Sequence, residues 1–77
     1  MGLLDNIDKI HTTELGVERI KKNLGLDCDP VEYCISKIQD KDAVIKEKGK
    51  NYYVTIDGAI ITVNKHSFTI ITAHKVK

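Results

Sequence analysis

Three histidines, one arginine and a set of lysines and threonines are the residues of this chain that first suggest reaction chemistry. His11, His66 and His74 are acid–base candidates, because an unperturbed imidazole titrates near neutral pH. Arg19 and Lys50 could steady a phosphate, as could Lys65 with its neighbour His66, and Thr72 stands two residues before His74. Arg19, Lys50, Tyr52, Thr69, Thr72 and His74 together contain the groups that RNA cleavage needs. A base takes the 2′-hydroxyl proton, an acid protonates the leaving oxygen, and a cation steadies the phosphorane. On that reading His74 and His11 form the acid–base pair, and Lys50, Arg19, Lys65 and Thr72 contact phosphate. The spacing of the histidines and of Cys28 and Cys34 matches no metal-ligand pattern, and no residue argues for a cofactor. Phosphate-cradling G-x-x-x-x-G-K, H-E-x-x-H and G-x-S-x-G motifs are all missing.

Two elements of opposite kind must position these groups. In the first half, Leu3, Leu4, Ile7 and Ile10 recur at helical spacing and predict an amphipathic helix ending near His11. Thr12 and Thr13 offer N-cap oxygens to a second helix with the stripe Val17, Ile20 and Leu24. Gly25 closes it in the left-handed conformation, with Leu26 as the following apolar contact. Asp29, Pro30 and Glu32 read as an N-cap, a first helical position and a D-x-x-E capping box. Val31, Cys34, Ile35 and Ile38 then form the apolar stripe of a third helix.

From Ala43 the period changes to two. Strands are predicted over 43–48, 52–56, 59–63 and 68–74, turned by Gly49-Lys50-Asn51, Asp57-Gly58 and Asn64 to Ser67. Such short connections make neighbours antiparallel. The two-residue Asp57-Gly58 turn pairs Ile56 with Ala59, Val54 with Ile61 and Tyr52 with Val63. A four-residue loop after Val63 then sets Phe68 opposite Val63, Ile70 opposite Ile61 and Thr72 opposite Ala59. One face carries Tyr52, Val54, Ile56, Ala59, Ile61, Val63, Phe68 and Ile70 and must meet the helices. The other carries Tyr53, Thr55, Ile60, Thr62, Thr69 and Ile71. Its apolar members, Tyr53, Ile60 and Ile71, suggest an alternative function as a non-catalytic interaction module that dimerises or binds a protein partner through this face or through the exposed edge strand.

The expected fold is therefore α+β, a single domain over 1–77. Three N-terminal helices (helical half 1–40) pack on one face of a four-stranded antiparallel meander (sheet half 43–75), in two layers. At 77 residues there is no room for a second, cofactor-binding lobe. Hydrophobic residues at 42% suffice for one modest core, and 30% charged residues suit a globule. The net charge of +1 hides a division. Residues 1–40 hold five basic and eight acidic groups (−3), and 41–77 hold seven and three (+4). Lys46, Lys48, Lys50, Lys65, Lys75 and Lys77 all fall in the sheet half, where they could meet the phosphates of RNA or guard strand edges. No basic leader, cleavage site or membrane-length apolar run is present, and two cysteines are too few for a disulfide scaffold, so a cytoplasmic location is expected.

His11-Thr12-Thr13-Glu14-Leu15-Gly16, Arg19-Ile20, Gly49-Lys50-Asn51-Tyr52-Tyr53-Val54 and Ile70-Ile71-Thr72-Ala73-His74-Lys75 resemble a family of small bacterial proteins, domain-of-unknown-function family 3781. The resemblance covers almost the whole chain and implies a bacterial cytosolic protein without supplying an activity. More distantly, the element order is similar to the fold shared by barnase, EndoU, colicin E5 and RelE-type ribonucleases. Their last strand often bears Thr or His near its end, where Thr72 and His74 stand here. That similarity implies a metal-independent ribonuclease ancestry, although the marked basic excess of ribosome-dependent toxins is missing.

Overall fold

The structure, a computed structural model, describes residues 2–76. Lys77, counted above with the sheet-half lysines, lies outside the described residues. A 3-10 helix over Leu4–Lys9 leads to α1 (Glu14–Leu24) and α2 (Pro30–Ile38), followed by β1 (Val44–Lys48), β2 (Asn51–Ile56), β3 (Ala59–Asn64) and β4 (Ile70–Lys75). The strands form one antiparallel sheet in the order β1-β2-β3-β4, so the α+β meander expected from the sequence is present.

The first helix differs from expectation. It is a six-residue 3-10 segment in which Asn6 leaves helical backbone geometry (φ −125°, ψ 27°). The Asn6 side-chain amide donates to the Gly2 carbonyl at 2.8 Å, the kind of local bond that competes with a regular helix. Leu3 and Ile10 are buried, whereas Leu4, expected in the same stripe, is exposed. After Lys9 the chain is extended, and Ile10 to Thr12 runs alongside the start of β4. The His11 amide donates to the Phe68 carbonyl (3.2 Å), the Ile70 amide donates to the His11 carbonyl (2.7 Å), and the two segments run parallel. The Thr12 hydroxyl adds a bond to the Ile70 carbonyl at 2.9 Å.

The other helix ends follow their local chemistry. Thr13 caps α1 by accepting from the Gly16 amide at 3.0 Å. Gly25 closes it at φ 65°, and the Leu26 amide returns to the Lys21 carbonyl, a Schellman ending. Asp29 caps α2 through the Val31 amide at 2.9 Å, with Pro30 in the first turn. That cap uses the second-position amide, not the Glu32 amide a D-x-x-E box would engage.

Asp57 (φ 52°) and Gly58 (φ 73°) both occupy the left-handed region, as a type I′ hairpin requires, and the β2–β3 register is the one that turn predicts. The β3–β4 register is not the predicted one. Asn64 organises the loop after β3 by accepting the His66 and Ser67 amides on its side-chain oxygen, at 2.8 and 3.0 Å. Phe68 turns through φ 58°, and β4 begins only at Ile70. Val63 therefore pairs with Ile70, Ile61 with Ala73 and Ala59 with Lys75, with a bulge between Thr62 and Val63. Phe68 is not opposite Val63, nor Thr72 opposite Ala59.

One buried cluster joins Ile20, Leu24, Cys34 and Ile38 of the helices to Val54, Ile56, Ile61, Val63, Ile70 and Ala73 of the sheet. The register places all six sheet residues on one face. Each such side chain removed from water is worth about 1.5–3 kcal/mol for the aliphatic ones.

Gly16 is closely approached by the two threonines that precede α1. A methyl group there would collide with the Thr12 hydroxyl oxygen and crowd the Thr13 hydroxyl at 3.3 Å. In an unobstructed helix Gly→Ala stabilises by about 1 kcal/mol. Here Gly16→Ala should instead lower stability in urea unfolding by about 1 kcal/mol, the scale of one lost hydrogen bond. The double change Thr12→Ala, Gly16→Ala should cost less than the two single changes added together. A more stable Gly16→Ala protein would show that Thr12 yields freely.

Candidate functional site: the open face of the sheet

The face opposite the core is organised by cross-strand rows. Lys46, Tyr53, Thr62 and Thr72 form one, and Val44, Thr55, Ile60 and His74 form the next. Toward the β1–β2 turn, Lys48, Asn51 and Asn64 form a third. Thr72 and His74 thus share the Tyr53 face, in the places that the expected register gave to Thr69 and Ile71. The bulge is the reason, since one additional residue in β4 reverses its alternation at that point. Ile71 is that additional residue: it has no partner on β3 and is exposed, but it does not extend the Tyr53 and Ile60 rows.

A shallow concavity of about 770 Å³ covers the β1–β2 side of this face. Lys46, Lys48, Lys50, Asn51, Tyr53 and Ile60 are among its walls. Two-residue turning at Gly49 (φ 61°) and Lys50 brings β1 directly back on β2, so alternate residues of the edge strand, Lys46 and Lys48, stand beside Tyr53 and Asn51. The Asn51 amide donates to the Tyr53 hydroxyl at 3.4 Å. Residues two apart on a strand are ~6.6–6.8 Å apart, so the Tyr53 ring leans along β2 to meet it. Thr62 is buried at 7% exposure, flanked in its row by Tyr53 and Thr72. All buried side-chain polar atoms among the described residues have partners.

Charge pairing sorts the lysines. Lys65 is ion-paired with Glu47, which also lines the concavity, and Lys37 with Asp57 at 2.6 Å. Hydrogen bonding to these carboxylates raises both ammonium pKa values. Among the described residues no ion pair engages Lys46, Lys48 or Lys50. The Glu47 charge is thus neutralised by Lys65, leaving three cations around the concavity.

The residues that sequence chemistry grouped as catalytic are not brought together. His11 sits beside Thr69, just before β4, while His74 is five residues on from Thr69. One of those residues is taken up by the bulge, so the remaining four steps span about 13 Å at ~3.3 Å per residue. Lys50 is at the His11 end of the sheet, its carbonyl accepting the Lys65 amide at 2.8 Å. Arg19 is exposed on α1, in a separate depression with Leu15, Glu18, Lys22 and Asn23. Thr72 lies with Tyr53, and Lys65 is held by Glu47.

His11 has a different set of partners, which its position in sequence did not announce. Its Nδ1 is 2.8 Å from the Lys9 carbonyl, which can only accept, so in the neutral ring Nε2 accepts the Thr69 hydroxyl at 3.1 Å. The Ser67 hydroxyl follows at 2.8 Å from Thr69. This chain of bonds joins the extended N-terminal segment, β4 and the loop before it. His66 is exposed in that loop. Among the described residues no group of three or more His, Cys, Asp or Glu is placed to hold a metal ion.

Fold and face together define a small α+β protein with an open, lysine-rimmed antiparallel sheet. Residues 4–74 match the family of proteins of unknown function DUF3781, and the chain belongs to that family. No curated protein and no solved structure matches the chain. Among the described residues no helix is long and apolar enough to cross a membrane.

The two cysteines stand in opposite environments. Cys28 is exposed, whereas Cys34 is buried in the core, where loss of hydration pushes its thiol from 9.0 to about 12. A thiol reagent should therefore modify one cysteine per native chain and two in denaturant. The raised value means that the folded state keeps a proton which the unfolded chain releases above pH 9. Stability from this group is complete below that pH and is lost between 9 and about 12, by up to about 1.4 kcal/mol per pH unit. Cys34→Ala should flatten that part of the pH–stability curve; an unchanged slope would assign it to other groups.

Proposed function

We propose that this protein binds nucleic acid, holding the phosphodiester backbone on the open face of its sheet. One observation carries the reading: Lys46, Lys48 and Lys50 surround a single concavity with no carboxylate pairing them among the described residues, and the one acid in its wall is paired with Lys65. Closely spaced, unneutralised ammonium groups attract a polyanion and release its counterions. Tyr53, Asn51 and Thr55 supply stacking and hydrogen-bonding groups within the same concavity. The buried helical residues join one face of the sheet, and the concavity lies on the other.

Binding without cleavage is the form of this reading that the geometry favours. General acid–base cleavage needs both groups within hydrogen-bond reach of one phosphate. The spacing of His11 and His74 along β4 does not support that, so the ribonuclease ancestry suggested by element order is not part of the proposal. A homodimer through the same face is also less favoured, because a two-fold contact would bring unneutralised lysines toward one another.

A labelled oligonucleotide should bind with an affinity that falls as salt rises. For three phosphate contacts to a single strand, log K against log salt should have a slope of about −2. Lys48→Glu with Lys50→Glu should abolish most of this binding, while Lys21→Glu on α1 should leave it intact. The oligonucleotide should be recovered whole after incubation in EDTA. No binding at low salt, or binding indifferent to the Lys48 and Lys50 changes, would refute the proposal. Cleavage that His74→Ala removes would replace binding by catalysis.

A further inference from the structure

We infer that the open face selects single-stranded over double-stranded nucleic acid, with the Tyr53 ring as the stacking platform for an unpaired base; this rests on the nucleic-acid reading above. The lysines occupy one side of the site, on β1 and its turn, while Tyr53 lies inboard on β2. A strand whose phosphates follow Lys46, Lys48 and Lys50 can turn its bases inward across β2, where Tyr53 stands. Neighbouring strands are ~4.8 Å apart, which leaves the inboard surface within reach of a base from that backbone.

Tyr53 is suited to receive one. Its hydroxyl is taken up by Asn51, so the ring leans along the strand and not upright from the sheet. An aromatic ring on a sheet surface stacks any base, whatever its sequence, because every base has a π-face. Thr62 and Thr72 continue the same row with hydroxyls but no bulky group. A duplex cannot use this arrangement: its bases are stacked on one another inside, and only its phosphates can reach the lysines. Single strands thus gain the Tyr53 contact in addition to the charge contacts, and duplexes gain the charge contacts alone.

The test compares a twenty-nucleotide RNA of mixed, G·C-rich sequence with the same strand annealed to its complement, and the DNA of that sequence with its own duplex, by fluorescence anisotropy at fixed low salt. In at least one of the two chemistries, single strands should bind about tenfold more tightly than the duplex. Tyr53→Ala should remove that advantage and leave duplex binding unchanged. Tyr53→Leu, which keeps apolar volume without a ring, should behave like the alanine variant, and Tyr53→Phe, which keeps the ring but loses the Asn51 bond, should keep a single-strand preference smaller than that of the original protein. Thermal unfolding of each variant establishes that it is folded before binding is compared. Duplex binding as tight as single-strand binding in both chemistries, or equal weakening of both by Tyr53→Ala, overturns the inference while leaving the phosphate reading in place. Failure to bind any of the four oligonucleotides overturns both.

Discussion

Ile70 and Ala73 are three residues apart on β4, and both are buried in the core. A strand of strict alternation cannot bury both, since its side chains change face at every step. The bulge resolves this by giving β4 one residue more than β3 across Thr62 and Val63. What β4 contributes to the far side of the sheet depends on that single accommodation. It turns Thr72 and His74 outward into the Tyr53 and Ile60 rows, and it leaves Ile71 unpaired and exposed. Without it, the same rows of β1, β2 and β3 would end on a different set of β4 side chains.

The loop that feeds β4 is held from two directions. From within, the Asn64 side chain collects the amides of His66 and Ser67. From outside, the extended segment after the 3-10 helix lies beside the strand, with His11 and Thr12 bonded to Phe68, Thr69 and Ile70. Thr12 also stands over Gly16, so the same residue fixes the start of α1 relative to β4. His11 therefore acts in the architecture as a bridge between distant parts of the chain, with both ring nitrogens engaged.

Electrostatics divides along the same lines. A near-neutral total of +1 suggests a surface with no preference for anions, yet pairing is selective. Lys37 and Lys65 are joined to Asp57 and Glu47, across α2 and the β2–β3 turn in one case and across β1 and the β3–β4 loop in the other. These pairs hold the sheet's turns to their surroundings, while among the described residues no ion pair engages Lys46, Lys48 or Lys50. Lysines on an edge strand also discourage pairing with another sheet edge, which is compatible with their serving a polyanion.

Much of this architecture was legible from local patterns. The caps at Thr13 and Asp29, the stop at Gly25, the Asp57-Gly58 hairpin and its register, and the stripes Ile20–Leu24 and Cys34–Ile38 all follow from residue type and spacing. Each depends on interactions within a few positions, or on a tight turn that leaves one register only. The bulge in β4 and the bridge from His11 to Thr69 were not legible, because each is settled by groups far apart in sequence meeting in one place. The 3-10 start was missed because the Asn6 side chain takes a local bond to Gly2 that the apolar spacing does not register. The candidate site divides in the same way. Lys50 as a turn residue and Tyr53 and Ile60 as members of the face opposite the core were readable from the turn and the alternation. The separation of His11 from His74 was not, since residue chemistry names the groups but only the packed register of β4 sets their distance.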